Sequence, residues 1–216
     1  MIERDYIMRM IQMLARGLAR ILFLKSQKDY PEVTREIQKA SKQILGIELD
    51  VLRTLSDIQM LDLLSLDAAL GIPKCYAAGM LLKEKAEFLA ATKAAAESSD
   101  CFSKALSLLT ESGIRNRGPF DLAHDKAVEF VAGELQGKHV RVHTLKKLFC
   151  YYELVHHYGK AAGTLFEVIK EEPSFADEGV RFYKRLAEKT DKELGEGDIL
   201  REEIDLGLKK FNRKGA

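Results

Sequence analysis

Residues 145–173, LKKLFCYYELVHHYGKAAGTLFEVIKEEP, decide how this chain folds. Leu145, Leu148 and Tyr152 recur at helical spacing, a turn falls near Gly159, and Ala161, Leu165 and Val168 set a second apolar stripe that Pro173 closes. Two helices so patterned must lie against each other. Leu148 and Tyr152 then meet Ala161 and Leu165, and the small Ala161 lets the helix axes approach closely. Outward from this stretch the same 3.6-residue period continues in both directions, and no series of alternating strands interrupts it. The periodicity predicts helices near 2–25, 31–45, 48–69 with a break, 73–92, 95–112, 120–136, 142–158, 160–171, 174–191 and 198–212. Prolines 31, 73, 119 and 173 stand at or near helix starts, where a missing N–H costs little. The expected fold class is all-α.

The quoted stretch resembles the tetratricopeptide repeat, with Phe149 where that family carries a small residue. A weaker copy spans 79–112, where Leu82, Ala86, Leu89, Phe102 and Ala105 keep the frame and Lys85, Ser98 and Thr110 leave it. A third starts at Ala176, holds Phe182 and Leu186, loses the frame at Gly195 and resumes in DILREEIDLGLKKF, residues 198–211. The resemblance implies a right-handed array of antiparallel helix pairs over 71–216. It also implies a concave surface lined by Lys83 and Glu87, then His143, Lys146 and Cys150, then Arg181 and Lys184. Such a lining is net basic and suits an acidic peptide or a C-terminal carboxylate. ERDYIMRMI, at residues 3–11, followed by this repeat region is similar to an uncharacterised bacterial family of all-helical proteins, a likeness that implies no known activity.

Ahead of the repeats, residues 1–70 form a separate N-terminal helical segment in this reading. In DYIMRMIQMLARGLARILF, residues 5–23, Ile7, Met10, Ile11, Leu14, Leu18, Ile21 and Leu22 share one helix face, while Arg9, Arg16 and Arg20 converge on the opposite one. So wide a stripe must be covered, either by residues 31–70 packing it onto the array or by the same helix of a second copy in a homodimer. Gly17 permits a close approach. Peripheral membrane association is the weaker alternative, because arginines opposite the stripe are poorly placed for lipid headgroups. Glu3 and Asp5 argue against a secretion signal, and Arg16 and Arg20 interrupt any bilayer-spanning run.

Charge is balanced along the chain, with 15 basic and 14 acidic residues in 1–108 and 19 of each in the remainder, which disfavours a nucleic-acid binder. Cys75, Cys101 and Cys150 are odd in number and widely spaced, as in a cytoplasmic protein without a disulfide framework, and Cys150 is expected in the core. No phosphate loop, nucleophile motif or acid pair stands out. The expectation is a non-enzymatic protein-binding module without a cofactor. The alternative is a metal- or small-molecule-dependent activity around His139, His143 and His156, although Val, Arg and Val separate the first two where a metallohydrolase helix needs a carboxylate. Locally, Ser174 and Asp177 suggest a capping box, Gly46, Gly113, Gly137 and Gly159 suggest helix stops or bends, KELGEGDILREE at 192–203 suggests a loop ending at Asp198, and NRKGA at 212–216 suggests a disordered tail.

Overall fold

The structure is a computed structural model that describes residues 2–66 and 70–212, with side chains over 5–66 and 70–211. The chain divides into two compact units, Met1–His139 and Val140–Ala216. Unit one holds α1 (Ile2–Ser26), α2 (Tyr30–Leu45), α3 (Leu49–Thr54), α4 (Asp57–Leu64), α5 (Gly71–Ala91), α6 (Ala95–Asn116) and α7 (Leu122–Glu134). Unit two holds α8 (Val142–Leu154), α9 (Tyr158–Glu171), a 3₁₀ turn at Pro173–Phe175, α10 (Ala176–Ala187), α11 (Asp191–Glu196) and α12 (Arg201–Asn212). The all-α class holds, and no strand occurs among the described residues. No described helix is long and apolar enough to cross a membrane.

In unit one α5 folds back along α6, and α1, α2, α4 and α7 also pack against it. That position explains why α5 is buried all round from Cys75 to Leu82 and carries almost no polar face there. On α1 the residues that reach the core are Met10, Leu14, Gly17, Ile21 and Leu24, spaced four, three, four and three apart. A Cβ on Gly17 would sit 3.2 Å from that of Ala40, so the glycine marks where α1 and α2 approach each other closely. Ile7, Ile11 and Leu18 are half-buried, and Leu22 is exposed. The α2 helix starts on the Asp29 cap and ends in a left-handed turn at Gly46.

Where α7 begins, His124 is fully buried between α6 and the preceding loop. Its Nδ1 accepts from the Phe120 N–H at 3.1 Å, so the proton must reside on Nε2, which donates to the Leu109 carbonyl at 2.9 Å. Tyr76 stacks on Phe120 at 4.8 Å and donates to Asp121, the cap of α7. Burial lowers the His124 pKa below its ordinary 6.5, against the opposing Leu109 bond and the Asp121 and Asp125 charges. Between the folded value and 6.5 the unfolded chain therefore binds more protons, and stability falls as pH drops below about 6.5. Urea midpoints measured above that value and about one unit below it should separate in the wild type, and His124→Asn should narrow the gap. An equal gap in both proteins would show that His124 is not locked neutral.

Unit two is held by α8 against α9 and by α10 against α12. Phe149 is buried, its ring 5.2 Å from Phe182 and 6.0 Å from Phe175, both edge-on. Ala161 and Leu165 are completely buried. Gly159 donates its N–H to the Gly197 carbonyl at 2.9 Å, and a Cβ there would lie 2.2 Å from the Asp198 carbonyl oxygen. Absence of a side chain lets the 197–198 turn rest on the first turn of α9.

Several local expectations need correction. Residues 191–196 are helical where a loop was expected, because Thr190 and Glu193 form a reciprocal capping box strong enough to start α11 beside two glycines. Ser174 caps nothing: Pro173–Phe175 winds as a 3₁₀ turn, α10 starts at Ala176, and the Ser174 hydroxyl donates to Glu172. Gly113 lies inside α6, which runs on to a left-handed Arg117. The predicted break in 48–69 is the α3–α4 junction, and residues 67–69 and 213–216 lie outside the described chain, as does most of the tail expected to be disordered.

Candidate protein-binding face

The residues projected onto a concave lining fall in two places, one in each unit. Lys83 and Glu87 stand one turn apart on α5, half-buried, and join Glu84 and Lys25 in an ion quartet. Lys25 at the end of α1 reaches Glu84 at 2.8 Å and Glu87 at 2.6 Å, while Lys83 reaches Glu84 at 2.9 Å and also pairs with Glu87. Glu84 is only 3% exposed. Burial opposes ionisation of Glu87, yet the two ammonium groups outweigh it and hold its carboxyl below the usual range. Lys83 also lies 5.0 Å above the Phe130 ring. Each charge here is committed to a neighbour, which suits a fastening between helices better than a ligand contact.

The second place is the outer side of α8 and α10. At 100° per residue His143, Lys147, Cys150 and Leu154 form one stripe on α8, and Lys146 and Glu153 border it. Leu145, Leu148, Phe149 and Tyr152 take the inner side, which is why Cys150 is exposed and not in the core as expected. Desolvation, then the Glu153 and Glu178 carboxylates, raise the Cys150 thiol above its usual pKa, so it is a poor nucleophile. Cys75 and Cys101 are the buried thiols.

Two sets of ion pairs fix the border. Arg185 on α10 grips Glu153 with a two-pronged contact at 2.7 and 2.9 Å and also donates to Glu178 at 2.9 Å. Arg181 donates to Glu178 at 3.1 Å. Lys146 donates to Glu172 at 2.7 Å and sits 4.9 Å over the Phe175 ring. Its ammonium holds the Glu172 carboxyl below the usual range. Lys184 is exposed on the same helix as Arg181. Lys146, Lys147, Arg181, Lys184 and Arg185 stand with Glu153, Glu172 and Glu178, so these residues together keep two positive charges, and three carboxylates absent from the net basic lining that the repeat frame projects offset much of it.

Glu153, Glu172, Glu178, Arg185 and Leu154 were not among the sequence candidates. The spacing of Glu178, Arg181 and Arg185 on one helix face was a usable signal for part of this set. His139, His143 and His156 are all exposed. Among the described residues no three His, Cys, Asp or Glu side chains come together as a metal site. The sequence model of a family of unknown function (DUF6483) matches residues 1–215. No curated protein and no solved structure matches the chain.

Proposed function

We propose that this chain, which belongs to that family of unknown function, acts by binding another protein on the outer face of α8 and α10, without covalent chemistry or a cofactor. The observation that carries the reading is the layout of the face: the exposed Cys150 and Leu154 form a small apolar patch at one end of a stripe that His143 and Lys147 continue, beside a border of ion pairs that already hold their geometry. Protein interfaces combine the same parts, an apolar patch that excludes water and a polar rim that sets register. Fixed rim side chains lose little freedom on association. An acidic partner segment is favoured by the residual positive charge, and the rim's exposure makes binding weaken with salt.

The finer architecture, in which α5–α6, α8–α9 and α10–α12 are tetratricopeptide-type pairs, belongs to the same proposal. It is supported by the burial of Leu148, Tyr152, Ala161 and Leu165 at the positions that such a crossing needs. The test compares proteins retained from the native cell extract by the wild type and by Lys146→Ala/Arg181→Ala. Arg181 is exposed and Lys146 half-buried, each holding a solvent-accessible ion pair, so the double variant should keep its fold, which an unchanged far-UV circular dichroism spectrum checks. A partner that the wild type retains, that salt releases and that the double variant loses supports the reading. The same set of proteins on both columns, or none on either, overturns it.

A further inference from the structure

We infer that the outward side of α1 is a docking surface for an anionic membrane, on which the helix lies in the plane of the lipid surface, with Met8, Leu22 and Phe23 dipped toward the acyl chains and Arg9, Arg16 and Arg20 on the headgroups. The inward side is taken by Met10, Leu14, Gly17, Ile21 and Leu24, which pack toward α2 and α5. At 100° per residue the direction opposite that seam falls at Ala19, with Met8, Ala15, Leu22 and Phe23 to either side of it. Phe23, Leu22 and Met8 are exposed by 54%, 52% and 51%. Asp5, Gln12 and Ser26 are the polar residues among them. The arginines form the next row, roughly 60–100° round from Ala19, and beyond them Tyr6 and Met13 are exposed as well. The sequence reading sets these arginines opposite a single apolar stripe, too far from it to reach headgroups. In the fold most of that stripe turns inward or is half-buried, and the arginines border the apolar residues that stay outside.

Charge indicates what the surface meets. Arg9, Arg16 and Arg20 are all exposed and run about 16 Å along the helix. Arg20 rests 5.4 Å from the Phe23 ring, and no carboxylate among the described residues pairs with any of the three, whereas Arg35, Arg115, Arg185 and Arg201 each hold one. Asp5 is the sole carboxylate among the described side chains of α1. Apolar tips beside a row of unneutralised cations are the layout of a helix that lies at an anionic lipid interface. A second copy of α1 would bring the arginines no described carboxylate but Asp5. A nucleic acid would answer the arginines and leave Met8 and Leu22 in water. Met8 and Leu22 stand about 21 Å apart with alanines between them, so a protein partner needs two separate pockets to take both, while acyl chains receive them without any.

The chain contains no tryptophan, so Phe23→Trp supplies a single fluorescent reporter on this surface. Its emission should shift to the blue on phosphatidylglycerol vesicles, stay in place on phosphatidylcholine vesicles and return as salt is added. Adding Arg9→Gln, Arg16→Gln and Arg20→Gln should abolish the shift while the far-UV circular dichroism stays unchanged, since the three side chains are exposed. Leu22→Asp in the same reporter should weaken it, and Leu206→Trp, an equally exposed position on α12, should not shift at all. No shift on phosphatidylglycerol, an equal shift on both lipids, or a shift that survives loss of the arginines overturns the proposal. Vesicle binding by sedimentation without a blue shift also overturns it, because the contact is then charge alone and fits an acidic protein as well. A solution mass near twice the 24.4 kDa of one chain that Leu22→Asp halves would overturn it in favour of a second copy.

Discussion

Gly159→Ala should destabilise unit two by about 3 kcal/mol and lower its urea midpoint by more than about 1 M. The sign is informative, because helix propensity alone argues the other way: alanine within a helix is favoured over glycine by about 1 kcal/mol. Gly159 is the second residue of α9, and its backbone is helical. Against that gain stands an added methyl 2.2 Å from the Asp198 carbonyl oxygen and 3.2 Å from its carbon, contacts that only a shift of the 197–198 backbone relieves. That shift also breaks the bond from the Gly159 N–H to the Gly197 carbonyl, leaving a donor without its acceptor. A variant as stable as the wild type, or more stable, would show that the turn does not rest on α9.

Leu165→Ala should cost roughly 2–5 kcal/mol, the range for truncating a fully buried leucine in a site that cannot collapse around the void. Tyr158, Ala161 and Val168 on the same side of α9 are equally inaccessible, so little can move in. Enlarging Ala161 to leucine should cost about 1–3 kcal/mol by the opposite fault, overpacking the crossing. Glu167→Ala, on the exposed side, should change stability by less than about 0.5 kcal/mol. If all three variants unfold together in urea, α9 does not present the face that its period assigns to the core.

Both predictions rest on features of unequal visibility in the sequence. The α9 stripe was legible because residues three and four apart on a helix share a side, and a tightly packed pair leaves a strict apolar period. The Thr190–Glu193 box is equally local, but the glycines at 195 and 197 and Asp198 point the same stretch toward a loop, and only the folded chain shows the box starting α11. The contact of Gly159 with Asp198 joins positions 39 residues apart, and no local rule pairs them. The same holds for the border of the α8–α10 face. The Glu178–Arg181 pair was legible as a three-residue step on one helix, but Glu172 opposite Lys146 and Glu153 opposite Arg185 come from other elements whose positions only the packing of the helices decides.

The ion quartet has a consequence for how α1 finds its place. A 3–4 apolar seam repeats every seven residues, so a slide of α1 by two turns along its axis would again set apolar residues on the seam, but with Met10 or Leu24 in place of Gly17 at the close approach to Ala40. Such a slide of about 10 Å would withdraw Lys25 and leave Glu84 sealed in with Lys83 alone and Glu87 short of a cation. An uncompensated buried carboxylate adds its penalty to that steric clash, so the shifted alignments are driven up in energy while the native one is barely lowered. Lys25 thus works with Gly17 as a ruler's end stop: the two remove the neighbouring wells in which a regularly spaced helix would otherwise come to rest.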